Sequence, residues 1–224
     1  LKTNRPSLVV CPSSLIYNWE DEVHKFSKQL PVTCITGNGA LRKELIKEIK
    51  QGLYVTSYDY IRRDFELYQD IEFEYVILDE AQYIKNQKTK NAQSVKTLKT
   101  RHKLALTGTP IENSLLELWS IFDFIMPGYL FDRDTFIVKY YRRYLDCKEL
   151  SDEFKKLIKP FILRRIKSDV LKELPSKIEK IIEIELPKEQ QDVYGVYTNT
   201  VIDLIEKKIV NDESSSRKIE ILSY

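Results

Sequence analysis

Short apolar runs alternate along the first half of the chain with segments of helical periodicity. The runs SLVVCP (7–12), LYVTSY (53–58) and FEYVILDE (73–80) are apolar through most of their length and too short to cross a membrane. Strands buried on both faces are typical of parallel sheets that helices cover on both sides. The pattern therefore predicts an α/β fold built on a parallel sheet.

Five strands and several helices follow from this pattern. The predicted strands are 7–12, 32–36, 53–58, 73–80 and 102–108, and a serine at 13 or 14 is expected to cap the first helix. The last third is predicted to be helical around 115–125, 136–144, 151–172 and 188–209, with a strand or extended linker at 177–187. Ligands of such folds lie at the carboxyl ends of the strands, where several of these runs end in polar residues.

Composition excludes some classes of protein and leaves others open. The 224 residues carry 36 Lys and Arg against 34 Asp and Glu, so the net charge of +2 says little about partners. The three cysteines form no CxxC pair, which favours free thiols in a reducing cytoplasm. His24 and His102 are isolated, so they predict no zinc site. We see no signal peptide pattern and expect no membrane association.

The stretch YVILDE (75–80) places two acids directly after an apolar strand. Asp79 at such a strand end could hold Mg²⁺, and Glu80 could orient and activate a water molecule. Many ordinary buried strands also end in solvated acids, so this stretch alone does not decide between the two interpretations.

A phosphate-binding P-loop would be the expected partner of these acids. Its pattern is GxxxxGK[ST], and none of the six glycines of this chain is followed by lysine. If the acids are catalytic, we expect the P-loop to lie upstream of Leu1 in a longer parent protein.

Five motifs occur in an order that resembles one family. They are LVVCPSSLIYNWEDE, VTSYDYIRRD, VILDEAQYIKN, LALTGTPIENSLLELWSIFDFIMPGYL and PFILRRIKSDVLKELPSK. Together they closely resemble the Swi/Snf-type ATPases, a chromatin-remodelling branch of the superfamily II helicase-like motors related to DEAD/DEAH helicases. The DEAQ variant looks more like the bacterial members. The resemblance covers residues 8 to about 190.

The resemblance implies a RecA-like sheet and assigns catalytic roles, with ATP and Mg²⁺ as cofactors. In this family the DEAQ box is the metal and water site, which makes Asp79 and Glu80 the residues that bind Mg²⁺ and the cofactor, with Asp79 as the coordinating acid and Glu80 as the catalytic base. Gln82 is expected near the network that couples nucleotide to DNA. The LTGTP stretch, which couples hydrolysis to motion, carries over to Thr107, Gly108, Thr109 and Pro110.

The resemblance also implies double-stranded DNA as the partner. The first backbone-contacting motif carries over to Pro12, Ser13 and Ser14, and the second to Thr56, Ser57 and Tyr58. Arg164 and Arg165, in FILRR, are interpreted as contact or coupling residues. A serine at 13 or 14 that only caps a helix is the plainer alternative, and both roles are compatible.

Charge along the chain supports a polyanionic partner. Residues 85–103 contain seven Lys or Arg and no acid, beginning with Lys85 directly after the candidate acids. A solvated face is the usual meaning of such a run, but its length and position favour phosphate contact.

We divide the chain by this resemblance into an incomplete RecA-like ATP-binding lobe (1–127), a helical protrusion (128–176), and a linker strand with helices leading towards a second lobe (177–224). The predicted function is part of a DNA-dependent ATPase that translocates along duplex DNA, inactive alone because P-loop and arginine finger lie outside it. The alternative is a non-enzymatic DNA- or protein-docking module, and other nucleic-acid-bound proteins are possible partners.

Two further expectations follow from the family assignment. A RecA-like sheet without its first strand and helix should expose a sheet edge or face and an apolar patch near LVVCP, through which the chain could self-associate. The expected localisation is the bacterial cytoplasm, in association with the nucleoid.

Overall fold

The computed structural model describes residues 4–108, 114–147, 149–165, 180, 182, 184 and 186–209, with no side-chain detail beyond 202. The chain divides into two compact units, 1–163 and 164–224, and each is described by itself. The predicted domain boundary after 127 falls inside the first unit, so the three-part division stays a prediction. Within the described residues, no helix combines the length and apolarity needed to span a membrane.

The first unit is built on the predicted parallel sheet of five strands. They are β1 (Pro6–Cys11), β2 (Val32–Cys34), β3 (Gly52–Ser57), β4 (Glu72–Leu78) and β5 (Lys99–Ala105). Their order across the sheet is β2-β3-β1-β4-β5, and every neighbouring pair is parallel. All six residues of the central β1 are buried, as its near-continuous apolar sequence predicts.

Helices cover both faces of the sheet. The helices of the first unit are α1 (Ile16–Phe26), α2 (Gly39–Lys47), α3 (Tyr58–Asp64), α4 (Lys90–Lys96), α5 (Leu115–Ile125), α6 (Arg133–Phe136), α7 (Arg142–Cys147) and α8 (Asp152–Ile158). On one face α1 packs through Ile16 onto Val9 and Val55. On the other face a larger core joins α2, α3, α4 and α5 to strands β1, β3 and β4.

A second apolar core lies on the outer side of α5. Its aromatic centre joins Trp119 and Phe122 of α5 to Phe136, Tyr140 and Phe154 of the helices that follow. A π-helical segment, Ile137–Tyr141, makes α6 and α7 one continuous helical stretch, which presents Tyr140 to Phe154 with ring centroids 4.9 Å apart. The predicted helical insertion is therefore packed on a helix of the sheet lobe.

One predicted helix is shorter than its periodicity indicated. The segment 151–172 was expected to be helical throughout, but α8 ends at Ile158 and a 3-10 turn, Lys159–Phe161, follows. Pro160 stands in that turn and has no amide hydrogen to continue the helical ladder. Residues 162–165 are irregular, and 166–172 lie outside the described residues.

The edge strands of the sheet are β2 and β5, and the exposed apolar residues lie at β5, so the patch predicted near LVVCP was misplaced. Residues 8–11 (LVVC) belong to the central strand β1 and are fully buried, whereas Leu104 and Leu106 at the β5 end are 48% and 44% exposed. Val9, Ile77 and Leu104 form one row across the sheet. Val9 belongs to the core under α1 and Ile77 packs against that core, whereas Leu104 at the end of the row is exposed. Self-association through this edge stays a prediction.

The second unit contains one long described helix, α9 (Lys188–Ile209), with the bounds that the sequence predicted. Gln191 donates a hydrogen bond from its side-chain amide to the Leu186 carbonyl (2.7 Å), which ties the first turn to the preceding residues. The predicted linker at 177–187 lies mostly outside the described residues.

Candidate active site at the carboxyl ends of β1, β4 and β5

The two candidate acids lie where the sequence predicted them, at the carboxyl edge of the sheet. β4 ends at Leu78, and the amide of Asp79 donates to the carbonyl of Val10 on β1 (2.8 Å). The amide of Ala81 donates to the carbonyl of Leu106, just beyond β5 (2.8 Å). The turn that carries the acids is therefore fixed to the strands on both sides of β4.

Asp79 accepts hydrogen bonds from α1, from α3 and from the amide of the residue that follows it. The Trp19 indole donates from Nε1 to Oδ2 (2.8 Å), and the Glu80 amide donates to Oδ1 (2.9 Å). The Tyr58 hydroxyl donates to the main-chain carbonyl of Asp79 (2.8 Å). Each carboxylate oxygen thus accepts one hydrogen bond and keeps a lone pair for a further donor or a cation.

Glu80 is held by a side-chain relay that begins at the end of β5. Its backbone is left-handed (φ 50°, ψ 55°), an uncommon conformation for a residue with a side chain. Gln82 donates from Nε2 to Glu80 Oε2 (2.7 Å), and Thr107 donates from Oγ1 to Gln82 Oε1 (2.9 Å). The hydroxyl of Thr107 is thus linked to Glu80 through the side chain of Gln82.

The oxygen-rich composition of this edge fits Mg²⁺. Asp79 and Glu80 supply carboxylates and Thr107 a nearby hydroxyl, which are hard oxygen ligands of the type Mg²⁺ prefers. Among the residues described, no group of three or more His, Cys, Asp or Glu is placed to hold a metal. One or two carboxylates suffice for Mg²⁺ when substrate phosphates and waters complete its shell, so the residues present fit that arrangement.

The first predicted DNA-contacting motif is exposed beside this edge. Ser13–Leu15 form a 3-10 turn that leads directly into α1, and both serines are exposed. The predicted helix cap is wrong, because Pro12 and Leu15 occupy the cap positions and neither of these ends has a side-chain cap hydrogen bond. The serine side chains are therefore not used as helix caps.

The second predicted DNA-contacting motif has internal roles in this structure. Thr56 is fully buried and donates from its hydroxyl to the Ile35 carbonyl (3.2 Å), and Ser57 caps α3 by accepting from the Tyr60 amide (3.2 Å). Tyr58 is 2% exposed and donates to Asp79. With these side chains inside the protein, their direct contact with DNA stays a prediction, and their observed role is to support the edge.

Tyr58 is a neutral hydrogen-bond donor in this environment. Burial first, and then the charge of Asp79, raises the pKa of its hydroxyl far above the ordinary value. Its ring stacks on Tyr83, with centroids 4.9 Å apart and planes 7° from parallel. Tyr83 is 49% exposed, so this pair connects the interior of the site with the surface.

The basic run after the acids is divided between internal and exposed positions. Lys85 lies 3.5 Å from Glu117, and Lys96 lies 2.6 Å from Asp123, both acids of α5. Lys103 is half-buried over the Phe124 ring, and burial lowers the pKa of its amine. The exposed cations of the run are Lys88, Lys90, Lys99 and Arg101. The charge available for phosphate is therefore smaller than the sequence indicated.

The remaining predicted residues are Gly108, which directly follows Thr107 at this edge, and Thr109, Pro110, Arg164 and Arg165. Gly108 is exposed, with no atom within 4 Å of the position of an added Cβ. Thr109 and Pro110 lie outside the described residues. Arg164 and Arg165 are exposed and belong to the second unit.

Sequence reasoning missed Trp19. Its helical spacing with Leu15 and Val23 predicted core packing, and the ring does pack partly against the core on the α1 face. The bond from its indole joins α1 to Asp79, sixty positions further along the chain, which no local pattern reveals. A tryptophan one turn into the helix after a strand that neighbours the acids is the signal that could have suggested it.

Comparison with known proteins identifies the family of this chain. A family model described as "SNF2-related domain" matches residues 2–224. An uncharacterized ATP-dependent helicase, MG018, of Mycoplasma genitalium is 41% identical over 197 residues, covering 86% of this chain and 18% of that protein. TATA-binding protein-associated factor MOT1 of Saccharomyces cerevisiae is 36% identical over 230 residues, covering 96% of this chain and 12% of that protein.

A solved structure shows the same architecture. The Sulfolobus solfataricus SWI2/SNF2 ATPase core in complex with dsDNA superposes with a TM-score of 0.68 at 35% identity, covering 97% of this chain and 45% of that one. The chain thus spans less than a fifth of these two curated relatives and under half of the solved core. The five-stranded sheet is RecA-like, and the chain belongs to the SNF2-related family of ATP-dependent, helicase-like proteins.

Proposed function

We propose that this chain provides the acid-and-water half of the ATPase site of a motor that moves along duplex DNA. The observation that carries the proposal is the pair of restrained carboxylates at one sheet edge, with Asp79 held by Trp19 and Glu80 held through Gln82 by Thr107. If the acids only marked the solvated end of a strand, there would be no reason for separate elements to restrain both of them.

The chemistry of the proposal divides between the two acids. Mg²⁺ held by Asp79, with Glu80 nearby, would offset the negative charge of the phosphates of ATP. Glu80 has one carboxylate oxygen bonded by Gln82, so its other oxygen can orient an attacking water and accept its proton. The sequence contains no GK[ST] phosphate cradle, so we assign only these roles to the chain.

Duplex DNA is proposed as the partner that stimulates this chemistry. The supporting observations are the exposed Ser13 and Ser14 at the start of α1, the exposed cations of the basic run, and the likeness to a core solved with dsDNA. Hydroxyls and main-chain amides at such a turn suit phosphate oxygens without reading sequence. Binding of this kind weakens steeply as salt rises.

The test is a glutamate-to-glutamine exchange in the longest form of the protein that the gene encodes. Glu80→Gln keeps the shape and the hydrogen bonding of the side chain but removes the base. We expect it to abolish most DNA-stimulated ATP hydrolysis while ATP binding, measured with a fluorescent analogue, is retained. Glu48→Gln, an exposed residue at the end of α2, is the matched control and is expected to turn over normally.

Two results would contradict the proposal. Near-normal turnover in Glu80→Gln would remove Glu80 from the chemistry. A wild-type protein that binds duplex DNA but shows no ATP hydrolysis would instead favour the docking module, in which the ATPase motifs are unused.

A further inference from the structure

Asp79 receives one hydrogen bond from each of the two elements that the sequence assigns to DNA. The first element, the turn with Ser13 and Ser14, continues into α1, which carries the Trp19 indole to Asp79 Oδ2 (2.8 Å). The second element ends in Tyr58, whose hydroxyl reaches the Asp79 carbonyl (2.8 Å). Two segments separated by some forty residues of sequence thus meet on one acid.

The path from the exposed turn to Asp79 is short and is anchored at one buried residue. Trp19 follows Ser14 by five positions, which at the rise of an α-helix is about 8 Å. Between them Ile16 is 2% exposed and fixes the start of α1 on the sheet. The turn and the indole are therefore parts of one short anchored segment, so a phosphate held at the turn would also restrain the indole.

The two donors restrain different degrees of freedom of Asp79. The indole N–H can only donate, so its bond to Oδ2 fixes the rotation of the carboxylate. The Tyr58 hydroxyl instead fixes the main chain where the left-handed turn at Glu80 begins. The ring of Tyr58 is held by its stack on Tyr83, so the donor is pre-positioned.

We propose that Trp19 and Tyr58 are positioning residues that link DNA contact at the ends of β1 and β3 to the orientation of the Asp79 carboxylate. The inference rests on the proposed function and deepens it: DNA would stimulate hydrolysis by setting the geometry of the Mg²⁺ ligand. Neither side chain touches nucleotide in this scheme, and both act through Asp79.

The chain offers matched variants for the test. Trp19→Phe and Tyr58→Phe each delete one donor and keep an aromatic ring. Trp119→Phe and Tyr129→Phe are the controls, because each deletes a bond to a main-chain carbonyl, of Phe131 (3.3 Å) and Leu157 (3.0 Å), in the second core away from the acids. All four are made in the full-length protein, and thermal unfolding and DNA affinity are measured for each.

The first readout is the Mg²⁺ dependence of DNA-stimulated ATP hydrolysis. Loss of a residue that orients a metal ligand typically costs about 10- to 100-fold in metal affinity or activity. We therefore expect Trp19→Phe to raise the Mg²⁺ concentration for half-maximal rate about 10-fold or more, with unchanged DNA affinity. Tyr58→Phe is expected to lower the stimulation by DNA, and the two controls to leave both quantities as in wild type.

The second readout needs no turnover. Binding of Mn²⁺ in the presence of ADP, followed by electron paramagnetic resonance, reports the metal site directly. Trp19→Phe is expected to weaken Mn²⁺ binding about 10-fold. Duplex DNA is expected to tighten Mn²⁺ binding in the wild type but not in Trp19→Phe. A merely structural role would lower the melting temperature without moving either metal measurement.

The outcomes separate the inference from the function on which it rests. If wild type is stimulated by DNA and both variants show the Mg²⁺ and Mn²⁺ dependence of the controls, the inference is overturned and the function stands. If the wild type hydrolyses no ATP in the presence of DNA, the proposed function fails. Mn²⁺ binding by Trp19→Phe then still decides whether Trp19 positions the Asp79 carboxylate. If Trp19→Phe does not fold, Tyr58→Phe decides, since it removes a single hydroxyl.

Discussion

Replacing Asp64 by alanine should be one of the most damaging exchanges of a charged residue in the sheet lobe. The Asp64 carboxylate accepts from Nε (2.6 Å) and from a terminal nitrogen (3.0 Å) of Arg42, whose third bond goes to the Gly37 carbonyl (2.6 Å). The guanidinium also lies over the Tyr60 ring at 4.4 Å. The hydrogen bond to Asp64 is the main reason that the pKa of Arg42 is raised above its ordinary value.

The size of the effect follows from burial. The side chains of Arg42 and Asp64 are 6% and 12% exposed, so removing the acid leaves a desolvated cation without its partner. Such losses cost about 3–5 kcal/mol, which for a chain of this size lowers the melting temperature by about 6–20 °C. Helix α3, which ends at Asp64, also carries an ion pair between Asp59 and Arg62 (2.9 Å). The side chains of these two residues are 58% and 38% exposed. Asp59→Ala should therefore cost about 0–1 kcal/mol.

Urea unfolding followed by far-ultraviolet circular dichroism compares the two variants directly. Equal losses for Asp64→Ala and Asp59→Ala would refute the argument that burial sets the cost. The double variant Arg42→Met/Asp64→Leu provides an internal check, because removing both charges together should restore most of the stability that Asp64→Ala loses.

Three other predictions follow from contacts described above. Thr107→Val removes the hydroxyl that holds Gln82 and should lower DNA-stimulated ATP hydrolysis about 2- to 10-fold while ATP binding is retained. An unchanged rate would show that the hydrogen bond from Thr107 to Gln82 does not contribute to hydrolysis. Phe136→Ala empties the aromatic centre of the second core and should cost about 3–5 kcal/mol in urea unfolding, whereas a loss near zero would mean that this core does not stabilise the chain. Burial raises the pKa of the Cys11 thiol to about 12, so at pH 8 iodoacetamide should modify the exposed Cys147 and spare Cys11, as read by mass spectrometry, until denaturant is added; equal labelling in the folded protein would contradict this.

The sequence predicted the sheet and its acids because burial on both faces leaves a strong local signal. β1, β3 and β4 read as apolar runs, and Asp79 and Glu80 stand at the first polar positions after one of them. β5 was predicted three residues too late, at 102–108 instead of Lys99–Ala105. Its first residues are polar because an edge strand is half solvated, so hydrophobicity could not mark its start.

The parts of the site that were missed depend on contacts between distant segments. The Trp19 bond to Asp79 joins residues sixty positions apart, and the insertion of Gln82 between Thr107 and Glu80 depends on how the end of β5 packs beside β4. The internal roles of Thr56 and Tyr58 have the same origin, since hydroxyl residues at a strand end can point inward or outward. Secondary-structure propensity and hydrophobic periodicity indicate neither which distant residues form a hydrogen bond nor whether such a hydroxyl points inward or outward.

The left-handed backbone at Glu80 implies a conflict between stability and activity at this position. Holding a side chain with a Cβ in that conformation costs about 1–2 kcal/mol, and asparagine tolerates it better. Random substitution screened only for thermal stability should therefore enrich asparagine at 80, and each such variant would lack the carboxylate. Selection for turnover would keep glutamate at this position although its backbone conformation is unfavourable for that residue. A redesign of this chain for stability should therefore leave residue 80 unchanged.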